Sequence, residues 1–196
     1  MPDLGAVGGQ APDCDLYRVF PSLRGAGEAE PGGPLYVARE RQGSGRIDNP
    51  ETYGVLYLAA TPVAAVAERF QGFRGRRLTP RHLKAGMSGR EGVWALGSYR
   101  SRRVRECDLD DPRPLLEREL RPSDIATRDR LLTQRWAREI HDERRWPGVR
   151  YWSVLEAKWP VVARWSWEDL VVEDVEPLTL FHPAVREAAG LMAISI

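Results

Sequence analysis

Histidine and cysteine are scarce, with three and two residues in a chain of 196. His82, His141 and His182 fall at no metal-ligand spacing, and no cysteine pair accompanies them. No metal is therefore expected, and each histidine reads as structural or surface. Cys14 and Cys107 form no disulfide framework, which points to a reducing, cytoplasmic setting. No apolar run approaches the roughly 18 residues needed to span a bilayer. The opening residues, MPDLGAVGGQAPDC, have neither the basic start nor the apolar core of a signal peptide. An excess of one charge is also missing. Lys+Arg is 29 against 28 Asp+Glu, leaving a net charge of +1. A protein directed wholly at nucleic acid usually carries a larger basic excess. The arginine pairs at 76–77, 102–103 and 144–145 are scattered, as solvated faces are. GxxxxGK[ST] and GxGxxG phosphate loops and the GxSxG elbow are absent, as is any internal repeat.

What is present is a chain of globular composition, with seven Trp, six Tyr and four Phe. Residues 1–15 are rich in Gly, Pro and Ala and read as a flexible N-terminal arm, leaving 16–196 as a single domain. Residues 16–20 are a short β-prone run, and 21–34 a Gly/Pro-rich loop. Residues 53–59 are almost continuously apolar, as in a strand covered on both faces. Thr61 and Pro62 then supply an N-cap and a first helical residue. Val63, Val66, Ala67 and Phe70 form the stripe of that helix. Thr79-Pro80 repeats the start for a short helix near His82. Residues 92–107 read as two strands around a polar turn, and 108–114 as a loop. The longest helix is expected over about 128–143, with Leu131, Leu132, Trp136 and Ile140 inward. Residues 148–153 and 161–165 look like paired strands, with another short strand at 171–172. A terminal helix is expected over 183–194, with Val185, Ala188, Ala189 and Met192 inward. Short connections between strands favour antiparallel pairing. The expected class is α+β, with mixed, mostly antiparallel sheets and flanking helices.

Trp159, Trp165 and Trp167 alternate at strand spacing and read as core packing. Arg18, Arg46, Arg150 and Arg164 sit inside apolar strands or beside glycines. A buried arginine is costly unless paired. Its planar fork suits an anion such as a pyrophosphate, while an internal salt bridge is the ordinary explanation for any one of them. Arg46, after Gly-Ser-Gly, stands where small residues permit close approach.

Gly45-Arg46-Ile47-Asp48-Asn49-Pro50, then 53–59, then Glu68, together resemble the RES domain family, named for an Arg, a Glu and a Ser. Leu16-Tyr17-Arg18 matches its opening strand, and Gly148-Val-Arg-Tyr-Trp-Ser153 its serine segment. The chain departs from the family pattern at Ile47, where an aromatic is usual. The resemblance implies a fold like that of ADP-ribosylating toxins. It implies consumption of NAD by degradation, phosphorolysis or ADP-ribosyl transfer. It also implies a partner antitoxin carrying a helix-turn-helix DNA-binding part.

The residues can be matched to that chemistry. Cleaving the nicotinamide–ribose bond passes through an oxocarbenium-like ribose and needs no metal, because nicotinamide leaves neutral from a cationic linkage. Arg18 and Arg46 would clamp the pyrophosphate of NAD. Glu68 would stabilise the developing cation. Tyr57 and Ser153 would hold the nicotinamide. Each has a plainer reading: a solvated helix face for Glu68, core for Tyr57, tolerated strand polarity for Ser153. ADP-ribosyl transfer to a protein target is the nearest alternative. A non-catalytic nucleic-acid or protein binding module is the alternative from another class. No membrane association and no direct nucleic-acid binding are expected.

Overall fold

β-Branched and aromatic runs, interrupted by Gly- and Pro-rich turns, give this chain a sheet-dominated architecture. The computed structural model describes residues 14–87, 89–101 and 105–196. In chain order the elements are β1 (Cys14–Ser22), β2 (Leu56–Ala59), α1 (Pro62–Phe70), β3 (Lys84–Met87), β4 (Arg90–Ser101), β5 (Cys107–Asp108), α2 (Pro112–Glu117), α3 (Pro122–Ile125), α4 (Arg130–Asp142), β6 (Gly148–Trp152), β7 (Pro160–Arg164), β8 (Leu170–Pro177) and α5 (Pro183–Leu191). Of the expected arm, residues 1–13 lie outside the described residues. Cys14 and Asp15 already belong to β1.

Among the described residues the strands form one sheet in the order β3-β4-β1-β2-β7-β6-β5, with β8 also on β4. Every pairing is antiparallel except β5 on β6. β1 pairs with β4 along its whole length, from Cys14↔Ser101 to Ser22↔Val93. It meets β2 at the single registered pair Tyr17↔Ala59. The sheet is thus two halves joined at one point. Ala59↔Val161 and Tyr151↔Val161 continue that row. Side chains in register share a face, so Tyr17, Ala59, Val161 and Tyr151 line up across four strands. α1 and α5 cover this face on one half, burying Ala64, Val66, Phe70, Val185 and Ala189. α4 covers it on the other, burying Trp136, Ala137 and Ile140 with Val149 and Ala163. Leu16, Leu56, Leu58 and Tyr99 form the core of the opposite face.

Local signals placed several elements. Thr61 Oγ1 accepts from Ala64 N at 3.1 Å and Pro62 opens α1. Thr79-Pro80 starts a 3-10 turn over Pro80–Leu83. The three histidines are structural. His82 and His182 accept backbone N–H groups at 3.1 and 3.2 Å, while His141 is buried against Tyr53 and Trp165. Trp159, Trp165 and Trp167 each pack against a different core.

Other expectations are corrected. Residues 92–107 do hold two strands, β4 ending at Ser101 and β5 starting at Cys107, but among the described residues β5 pairs with β6 and not with β4. The expected polar turn falls partly on 102–104, outside the described residues. The 53–59 strand is shortened to β2, since Tyr53 instead closes a turn on Asn49. α4 starts at Arg130, capped by Asp129, two residues later than expected. Leu131 is 82% exposed: Leu132, Trp136 and Ile140 follow i, i+4, i+8 spacing, and Leu131 lies one residue off that stripe. Residues 108–114 contain the start of α2, capped by Asp111. α5 ends at Leu191, short of the expected 194.

Candidate active site

A cleft of about 410 Å³ opens where β1 parts from β2, between α1 and α4. Tyr17, Ala59, Val161 and Tyr151 form its floor, Glu68 and Arg69 come from α1, Arg130 from α4, and Gly45 and Arg46 from the preceding loop.

Arg46 is the residue around which the site is built. It is 8% exposed, and its Nε and Nη2 are buried with no hydrogen-bond partner. Its guanidinium lies over the Tyr151 ring, 4.9 Å from the centroid. Burial pulls its pKa below the ordinary arginine value, the like charge of Arg130 adds to this, and Glu68 opposes it. Unsatisfied guanidinium donors in a buried position cost free energy unless a ligand accepts from them.

Of the other conspicuous arginines, Arg164 and Arg18 are accounted for within the protein. Arg164, fully buried, pairs with Asp169 at 2.7 Å and Glu106 at 2.5 Å and donates to Ser101 Oγ. Arg150 Nε lies 3.7 Å from Asp108, beyond hydrogen-bond reach, and is also buried without a hydrogen-bond partner. Arg18 donates through Nη1 and Nη2 to the carbonyls of Pro34 and Tyr36, at 2.7 and 3.0 Å. Tyr17 shares the face of Ala59, so strand alternation sends the Arg18 side chain to the opposite face. Arg18 still lines the cleft where the strands separate, but its charged end braces the 34–36 loop.

The loop bearing Arg46 is fixed on every side. Gln42 exchanges two hydrogen bonds with the backbone of Val55, at 2.6 and 2.9 Å. Asp48 Oδ2 accepts from the N–H groups of Gly43 and Gly45 at 2.8 and 2.6 Å. Asp48 Oδ1 accepts from the Tyr57 hydroxyl at 2.7 Å, and that hydroxyl accepts from Ile47 N at 3.1 Å. From α4, Arg130 Nε donates to the Ser44 carbonyl, and Gln134 to those of Gly43 and Gly45. A Cβ at Gly45 would stand 2.5 Å from the Tyr57 oxygen and 2.6 Å from Asp48 Oδ1. The small residue is needed there for close approach of protein groups. Ile47 is fully buried, so the arginine stacks on Tyr151.

Glu68 is half-buried on the cleft side of α1, off the apolar stripe. Its Oε1 accepts a hydrogen bond from Ser153 Oγ. Ser153 is buried just beyond β6 and itself accepts from Leu155 N at 2.9 Å. Gln71 Nε2 donates to the Glu68 carbonyl at 2.9 Å. A carboxylate is thus aimed into the cleft that holds Arg46.

The structure therefore brings Arg46, Tyr57, Glu68 and Ser153 together, with Arg18 at the edge. It adds Asp48, Tyr151, Arg69 and Arg130. Asp48 lies in the Gly45–Pro50 stretch and Tyr151 inside 148–153, so both were within reach of the motif. Arg69, stacked 3.7 Å over Trp94, and Arg130 depend on contacts the sequence does not announce. Among the described residues no group of three or more His, Cys, Asp and Glu could hold a metal ion. No helix there is long and apolar enough to cross a membrane.

A mostly antiparallel sheet, split over a cleft with helices on one face, defines an α+β protein of the expected class. Within that class the chain belongs to the RES domain family, whose model matches residues 15–177. The fold is shared with MbcT in the crystal structure of the M. tuberculosis MbcT–MbcA toxin–antitoxin complex. The TM-score is 0.60 at 19% identity, covering 92% of this chain and 90% of that one. No curated protein matches the chain.

Proposed function

We propose that this protein consumes NAD by cleaving its nicotinamide–ribose bond. The observation that carries the reading is a buried guanidinium with two unsatisfied nitrogens, facing the same cleft as a carboxylate fixed by a serine hydroxyl. A diphosphate accepting from Arg46 would satisfy those donors and anchor the substrate. Glu68 would then act on the ribose. Its charge gains most as the ring becomes cationic, so it favours the transition state over the ground state. Ser153 positions Glu68, and Tyr57 positions the arginine loop. Tyr151 and Val161 supply an apolar floor for a flat ring. Nicotinamide leaves as a neutral molecule and water or phosphate takes its place on the ribose.

The same reading includes a protein partner. MbcT was solved in a toxin–antitoxin complex. We extend to this chain an inhibitory antitoxin with a helix-turn-helix part that enters the cleft, in the cytoplasm where NAD is plentiful. The test is to mix purified protein with NAD, with and without phosphate, and identify the products. Free nicotinamide with ADP-ribose or its phosphate supports cleavage. Label transferred to protein would replace it with ADP-ribosyl transfer, and intact NAD would refute it.

A further inference from the structure

We infer that Arg130 is a second anion contact beside Arg46, and that the two form a diphosphate subsite selecting dinucleotides over mononucleotides. This rests on the nicotinamide-cleaving reading. Arg130 occupies the first position of α4, where the helix dipole disfavours a cation. Its Nε is tied to the Ser44 carbonyl at 3.0 Å, in the loop that carries Arg46. Among the described residues neither arginine has a carboxylate within ion-pair distance. Both line the cleft, and their charges repel. Two cations held near each other, one at an unfavourable helix end and one buried with unsatisfied nitrogens, are stabilised together by an anion with two charged centres. A single phosphate can answer one guanidinium fully. A diphosphate can answer both.

NAD and nicotinamide mononucleotide carry the same scissile bond, but only NAD has a diphosphate, so they make the matched test pair. Nicotinamide release is measured on both for the wild type, Arg130→Gln and Arg128→Gln. Binding of inorganic pyrophosphate and inorganic phosphate is followed by calorimetry. Arg128 is an exposed neighbour outside the cleft, and its substitution removes the same net charge. Arg130→Gln should raise KM for NAD about 10- to 30-fold, the worth of one charge-assisted hydrogen bond. kcat should fall less than about threefold. The mononucleotide should lose less, so the preference for NAD narrows, and pyrophosphate affinity should fall about tenfold while phosphate binding changes little. Arg130→Lys, which keeps the charge, should recover part of the loss. Equal losses on both substrates, or the same effect from Arg128→Gln, would overturn the subsite. If the wild type released no nicotinamide, the reaction would fall, and pyrophosphate binding would still decide the subsite.

Discussion

Asp48→Asn isolates the device that aims Arg46. The carboxylate is 5% exposed and accepts three hydrogen bonds, from Gly43 N, Gly45 N and the Tyr57 hydroxyl. Asparagine keeps the shape and loses the charge. If its oxygen faces the two glycine N–H groups, those bonds become neutral, at about 1 kcal/mol each. Its NH₂ then faces the Tyr57 hydroxyl, whose proton loses its acceptor, at about another 1 kcal/mol. The sum is about 3 kcal/mol, with little solvent to screen it. For a chain of this size that lowers Tm by roughly 6–12 °C. Because the loop carries Arg46, KM for NAD should rise together with the loss of stability. The assay is thermal unfolding of wild type, Asp48→Asn and the exposed control Asp110→Asn, followed by nicotinamide release over a range of NAD concentrations. A Tm within about 2 °C of wild type, together with unchanged KM, would refute the reasoning.

Two further predictions concern the core. Arg164→Ala leaves Glu106 and Asp169 facing a buried void, and should cost about 3–5 kcal/mol in urea unfolding; a loss under 1 kcal/mol would mean the network is solvated. Cys107 is fully buried, and burial pushes its thiol up to about 11, so the thiolate is nearly absent at neutral pH. In a Cys14→Ser background it should resist a thiol reagent at pH 8 until the protein is unfolded, and prompt native labelling would contradict that burial.

How legible these features were depended on how local their causes are. α1 could be read because Thr61, Pro62 and the Val66/Phe70 spacing act within one turn. The Asp111-Pro112 start of α2 was equally local, but its density of acids and prolines resembled a loop. α3 spans four residues, too few for periodicity. β4 and β5 were both legible as strands, but the pairing of β5 with the distant β6 rather than with β4 depends on contacts that their own sequences do not display. In the site, Arg46 stood out through its flanking glycines, whereas Glu68 stood out only through the family resemblance, since a position off the helix stripe is equally that of a solvated carboxylate. Arg18 looked identical to a ligand-binding arginine. Only the carbonyls of Pro34 and Tyr36, sixteen and eighteen positions away, distinguish it. Arg130 reaches the cleft across eighty-six positions to Ser44, a closure that no local pattern encodes.

The most direct test of the account compares nicotinamide release from NAD by wild type and Glu68→Gln, with NAD binding measured on both folded proteins. Glutamine keeps the size and can still accept from Ser153, but it offers no charge to a cationic ribose. The wild type should release nicotinamide, and Glu68→Gln should lose about 100-fold or more in turnover while its affinity for NAD stays nearly intact. Wild-type turnover in Glu68→Gln would make Glu68 an ordinary helix carboxylate and remove the centre of the mechanism.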